Sequence, residues 1–86
     1  MDPGEAGGLH ITVRLFGTLK RLSQPGTPGR WQGGVPEGTT IEALITLLGT
    51  RTGEVYAAQV NGELRPLEFE IPDGAEVILV TPFGGG

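Results

Sequence analysis

The stretch Thr39-Thr40-Ile41-Glu42-Ala43-Leu44-Ile45-Thr46-Leu47-Leu48-Gly49 decides the fold, because it carries the strongest helix signal in a chain whose other patterned segments alternate like strands. Its first four residues form a capping box, in which the Thr39 hydroxyl is expected to accept from a first-turn amide and Glu42 to reach back to the Thr39 amide. Ile41, Leu44, Ile45 and Leu48 recur at the i, i+3, i+4, i+7 spacing that gathers apolar side chains into one stripe. Gly49 stands where a helix end calls for a left-handed residue. The spacing predicts a helix over 39–48 that packs through this stripe onto a sheet.

Working outward toward the N-terminus, Leu9, Ile11, Val13 and Leu15 share one parity, and His10, Thr12, Arg14 and Phe16 the other. That is the period-two pattern of a strand with one buried face. Residues 18–22 have room for one helical turn before Pro25, Gly26, Pro28 and Gly29 break it. Residues 30–35 read as a second strand with Trp31 and Val35 on a shared parity, although Gly33 and Gly34 weaken it. Toward the C-terminus, residues 55–60 read as a strand, and Asn61-Gly62 is the dipeptide of a type I′ hairpin, which needs positive φ at both central positions. Glu63-Leu64-Arg65 returns; this turn sets Val60 opposite Glu63 and Gln59 opposite Leu64, so Val60 and Leu64 fall on opposite faces, and which of them meets the helix stays open. Leu67, Phe69 and Ile71 alternate with Glu68 and Glu70 as on a strand, Pro72-Asp73-Gly74 turns, and residues 76–81 form a last strand whose Val77-Ile78-Leu79-Val80 run reads as buried on both sides.

The order β-β-α-β-β-β, with a right-handed crossover, makes the first and last strands parallel neighbours at the sheet centre. The expected class is therefore α+β, a β-grasp or ubiquitin-like arrangement with a mixed sheet of five strands and one main helix across one face. Val77 and Leu79 are expected on the helix side with Ile11, Val13 and Leu15. Ile78 and Val80 then point the other way.

Length and composition set the bounds. With 86 residues there is room for one domain. Six Lys or Arg against ten Asp or Glu give a net charge of -4, which argues against a nucleic-acid partner. No cysteine and a single histidine, His10, exclude a disulfide framework and a Cys/His metal site. No apolar run approaches the ~18 residues of a membrane span, and residues 1–5 lack the order of a signal peptide, so a cytoplasmic protein without a membrane partner is expected. Glycine is abundant, 16 residues with seven prolines, and its placement divides the chain into a disordered extension over 1–8, a folded domain over 9–83, and a flexible tail over 84–86.

Conventional catalytic arrangements are missing from this pattern. His10 alternates on the polar face of the first strand and reads as a solvated histidine. Glu68 and Glu70 sit two apart on a solvent face, a solubility pattern rather than an acid–base pair. Gly7-Gly8 and Gly33-Gly34 neither end a strand nor open a helix, so no phosphate cradle is expected. No metal is expected. What stands out is the chain end, where the last strand runs into Thr81-Pro82-Phe83 and then Gly84-Gly85-Gly86. Pro82 withholds a backbone donor, so the chain leaves the sheet there, and three residues without Cβ are thin enough to thread a narrow channel. The ionised terminal carboxylate of Gly86 could then attack the α-phosphorus of ATP held by another protein.

Three segments carry a family resemblance: Gln59-Val60-Asn61-Gly62-Glu63, then Ile71-Pro72-Asp73-Gly74-Ala75-Glu76-Val77, then the apolar strand leading to Gly85-Gly86. Together with Leu15-Phe16-Gly17-Thr18-Leu19 and Val35-Pro36-Glu37-Gly38-Thr39-Thr40-Ile41-Glu42-Ala43-Leu44, they resemble the small ubiquitin-like sulfur carriers of molybdopterin and thiamine biosynthesis. The chain looks more like the small subunit of molybdopterin synthase than like the shorter thiazole-pathway carrier. It departs from the family in the Pro- and Gly-rich residues 23–34 and in Gly84, where a small non-glycine residue is common. The resemblance implies a carrier without a catalytic site or bound cofactor of its own. Gly86 would be adenylated by an E1-like enzyme using ATP, converted to a thiocarboxylate by a sulfur donor, and used in the active site of a larger synthase subunit. Gly84 and Gly85 would thread, and Phe83, Ile78 and Val80 would form the partner-binding patch. The alternatives are a thiazole sulfur carrier, a protein modifier forming isopeptide bonds, and an interaction module whose tail is inert.

Overall fold

The computed structural model describes residues 8–55 and 57–81. Strand β1 (Gly8–Leu15) buries Ile11, Val13 and Leu15 completely, while His10, Arg14 and Phe16 are exposed, as the alternation predicts. A 3-10 helix over Gly17–Leu22 drops Leu19 into the core and leads through a tight turn to β2 (Arg30–Pro36). Gly33 survives inside this strand for a steric reason: a Cβ there would stand 3.1 Å from the ring of Trp31, which lies over it. The helix α1 (Ile41–Leu47) follows, then a 3-10 helix over Thr52–Glu54, β3 (Ala57–Val60), β4 (Glu63–Leu64) and β5 (Glu76–Val80).

The sheet order is β2-β1-β5-β3-β4, with β1 and β5 parallel at its centre and the other pairs antiparallel. Ile41, Leu44 and Ile45 of α1 are fully buried with Val13, Leu15, Val77 and Leu79, and Leu48 packs against them half-buried. Asn61 at φ 52° and Gly62 at φ 89° make the type I′ hairpin, and the register sets Val60 opposite Glu63 and Gln59 opposite Leu64. The question left open by the sequence is answered by burial: Val60 faces α1 and Leu64 is 68% exposed on the other side.

Four expectations need correction. The helix cap is Thr40, not Thr39: its Oγ1 accepts from the Ala43 amide at 3.1 Å, while the buried Thr39 donates its hydroxyl to the Pro36 carbonyl at 2.6 Å and so belongs to the preceding turn. With the cap one residue later, Ala43 occupies the position where a capping box needs Glu, and no reciprocal bond forms. Second, Leu67 to Ile71 is not a strand of the ladder. Its carbonyls are used elsewhere: Phe69 accepts from the Ile41 amide at 3.1 Å and Leu67 from the Glu42 amide at 2.9 Å. These are two donors that a helix start leaves unsatisfied, so main chain completes the cap that side chain began. Third, β3 begins at Ala57 rather than 55, because the Val55 amide bonds back to Thr52 at 3.0 Å within the preceding turn. Fourth, the Val77–Val80 run is covered on one side alone: Val77 and Leu79 are fully buried, Ile78 and Val80 only half-buried.

The end of α1 follows expectation. Gly49 at φ 97° donates to Thr46 at 3.0 Å, and the Thr50 amide reaches Ile45 at 3.3 Å, the paired bonds of a Schellman motif.

Candidate functional site

Strand β5 is flanked on both sides, so its backbone direction is fixed by pairing to β1 through Thr12–Glu76, Val13–Val77, Arg14–Ile78 and Leu15–Leu79, and to β3 from Ala57–Val80 to Val60–Val77. Thr81 continues from it, 3% exposed, with the Thr18 hydroxyl 3.5 Å from its own. The sheet thus delivers the chain from its most constrained strand, at the end where β1 passes into the 3-10 helix. The residues expected beyond this point, Phe83 in the docking patch, Gly84 and Gly85 in the threading tail and Gly86 as the reactive end, lie outside the described residues, as does the extension before Gly8.

The face turned away from α1 can be read from the register. Arg30, Arg14, Ile78, Gln59 and Leu64 form one row across all five strands. One step toward Thr81 lie Phe16, Val80 and Ala57, since Phe16 keeps an extended backbone and follows the Leu15–Leu79 pair. Ile78 and Val80, both singled out from the sequence, therefore share a surface. Phe16, 41% exposed, and Leu64 join them there. Both were missed as candidates. Phe16 falls on the polar parity of β1, where an aromatic residue is itself the signal; the exposure of Leu64 depends on the face of β4, which its hairpin register alone does not give. Arg14 crosses the patch, 3.8 Å from the Glu76 carboxylate and 5.9 Å from the centre of the Phe16 ring.

The discounted residues have structural roles. The backbone of His10 ties the 72–74 turn to β1, donating to the Asp73 carboxylate at 2.8 Å and accepting from Gly74 at 2.8 Å, and its exposed ring meets the Gln32 side-chain amide at 3.4 Å. Glu68 and Glu70 are exposed. Gly33 and Gly34 lie inside β2. Among the described residues no group of three His, Cys, Asp or Glu could hold a metal, and no helix is long and apolar enough to cross a membrane.

Comparison with known proteins places this geometry. The solution structure of the HVO 2177 protein of Haloferax volcanii superimposes with a TM-score of 0.70 at 19% identity, covering 100% of this chain and 94% of that one, which shows a shared fold. A search of curated proteins gives no match. The sequence model of the ThiS family matches residues 13–86, the whole span from the middle of β1 to the final glycine. Carriers of that family work with E1-like adenylating enzymes and synthase subunits. That match over most of the chain, on a β-grasp sheet, identifies this chain as a member of the ThiS family of small sulfur carriers.

Proposed function

We propose that this carrier is the small subunit of a molybdopterin synthase and that Gly86 is its reactive residue. The family match over residues 13–86, on a sheet whose central strand leads the chain to Thr81, supports a sulfur carrier; the choice of the molybdopterin branch rests on the length of the chain and on the resemblance carried by Leu15-Phe16. The Gly86 carboxylate attacks the α-phosphorus of ATP on an E1-like partner, the α–β phosphoanhydride breaks, and pyrophosphate leaves. Hydrosulfide delivered by the sulfur donor then attacks the acyl carbon of the adenylate, the acyl–phosphate bond breaks, and AMP leaves to give a thiocarboxylate. In the larger subunit its sulfur attacks a carbon of the pterin precursor and displaces an oxygen substituent, which leaves with the bonding electrons and takes up a proton; water then cleaves the acyl–sulfur bond, leaving sulfur on the product and restoring the Gly86 carboxylate. Gly84 and Gly85 pass through the partner's channel because no Cβ obstructs them. Phe83, Ile78 and Val80, joined by Phe16 and Leu64, form the docking surface, and the chain itself holds no cofactor.

Incubation with ATP, the activating enzyme and a sulfur donor is expected to raise the intact mass by the difference between sulfur and oxygen. Deletion of Gly86 abolishes the change, since a misplacement of ~1 Å already costs ~100-fold in rate. Conjugates to lysine would identify a modifier instead, and neither mass change nor conjugates an inert module. Complementation of strains lacking each carrier separates the pathways: rescue of the thiamine auxotroph alone would overturn the molybdopterin assignment and leave the acyl chemistry standing.

A further inference from the structure

Arg14 and Arg30 are direct register partners on β1 and β2. Both are exposed, and with Thr27, Pro28 and Gly29 they line an open surface groove of about 350 Å³. Like charges directly opposite each other on an antiparallel pair are destabilising. The pair is also out of keeping with the whole chain, which has six cationic residues and a net charge of -4. Glu76 answers Arg14 at 3.8 Å, but among the described residues no carboxylate is within ion-pair reach of Arg30. The arrangement is held in place. The Leu15 amide bonds to the Gly29 carbonyl at 2.8 Å, and the Gln24 side chain clamps both the amide and the carbonyl of Gln32, so the turn that walls the groove is fixed to β1 and β2.

The pair lies in the same row as Ile78 and one step from Phe16 and Val80, at the end of the sheet where the chain leaves β5. We propose that Arg14 and Arg30 form a two-guanidinium receptor for a carboxylate-bearing segment of the E1-like activating enzyme, which steers the carrier onto that enzyme with its tail foremost. This rests on the function proposed above. Each guanidinium is a planar fork that matches a carboxylate in bidentate geometry, and an acidic segment would neutralise the like charge that these register partners bring together. On a carrier of net charge -4 a pair of adjacent cations gives an acidic partner a preferred side of approach, so the pair orients the encounter as well as attracting it. The activating enzyme is the occupant we commit to, because the pair continues the row of Ile78 in the proposed docking surface at the end of the sheet from which the chain leaves β5.

The test is stopped-flow association of the full chain with the activating enzyme from the same organism, at low and high salt. Arg30→Glu is expected to slow association at least tenfold at low salt and to flatten its salt dependence, within the range that steering spans in charged complexes. Arg65→Glu changes the net charge equally at the opposite edge of the sheet and is expected to stay within about twofold of the wild type. Amide spectra of each variant establish that the fold is intact. Equal slowing by both variants, or no slowing by Arg30→Glu, overturns the receptor while leaving the carrier function in place. Dependence on Arg30 only for the larger synthase subunit overturns the choice of partner. Saturable shifts of the 27–30 amides with millimolar inorganic phosphate would make the groove a small-anion site and overturn it too. If the wild type neither binds the activating enzyme nor supports ATP–pyrophosphate exchange, the proposed function falls and this inference with it.

Discussion

Ile78 and Leu79 are neighbours on one strand with opposite assignments, and substituting each in turn separates folding from docking. Leu79 has no exposed surface and packs among Val13, Leu15 and Leu44, so Leu79→Ala removes buried methyl groups and leaves a cavity, at a cost of about 2–5 kcal/mol. A domain of this length has roughly 4–13 kcal/mol of total stability at 0.05–0.15 kcal/mol per residue, so that loss is a large fraction of the whole. Ile78 is half-buried on the open face. Ile78→Thr keeps the β-branch that suits a central strand and gives up part of one side chain's burial, about 1 kcal/mol. At about 4–8 °C per kcal/mol the two variants separate clearly in a calorimetric melt. Binding to the activating enzyme or the larger subunit is expected to run the other way. Leu79→Ala, measured well below its melting temperature, binds nearly as the wild type does, whereas Ile78→Thr loses about 1–2 kcal/mol, or roughly five- to thirty-fold in Kd. A melt in which Ile78→Thr falls as far as Leu79→Ala would show that the face is not open. Unchanged Kd for a folded Ile78→Thr would remove Ile78 from the docking surface.

The adjacent threonines make a second isosteric comparison: Thr40→Val is expected to strip hydrogen-exchange protection from the Ala43 amide and cost about 1 kcal/mol, while Thr39→Val leaves that amide protected. Loss of protection in the Thr39 variant alone would restore the capping box read from the sequence. Gly62→Ala places a side chain at φ 89° with open space around it, so the cost is backbone strain of about 1–2 kcal/mol, seen as a lower midpoint in urea with an unchanged slope. Phe83→Ala is expected to weaken capture by the activating enzyme or the larger subunit by about 2–4 kcal/mol with the melt unchanged, and unaltered calorimetric affinity would exclude it from the interface. Gly33→Val pushes against the ring of Trp31, the chain's one tryptophan, and is expected to move its fluorescence to longer wavelength.

What the sequence made legible was what depends on parity and on special backbone angles. The buried set of β1 and β5, the stripe of α1, the Asn61-Gly62 turn and the end at Gly49 each follow from a period or a positive φ, and both are local properties. The errors came where one segment's hydrogen bonds are completed by another. Residues 67–71 alternate as a strand does, yet no neighbour offers that segment a ladder, and its carbonyls meet the start of α1 across a gap of some 25 residues. Thr39 and Thr40 are interchangeable as letters; only the Pro36 carbonyl within reach of Thr39 distinguishes them. The face turned away from α1 was half legible for a similar reason. Ile78 and Val80 follow from alternation, but the Arg14–Arg30 pair needs the register between two strands separated by a 14-residue connection, which no local pattern encodes.

The double pairing of β5 also has a mechanical consequence. A protein that grips the chain beyond Thr81 pulls along the axis of a strand held on one side by β1 and on the other by β3. Tension in that direction loads both ladders in shear, with many bonds resisting together, whereas the same pull on an edge strand such as β4 could peel its pairs apart one at a time. Under the proposed function, this lets the end of the carrier be drawn into one enzyme, released and drawn into the next without the fold unravelling from the point of traction.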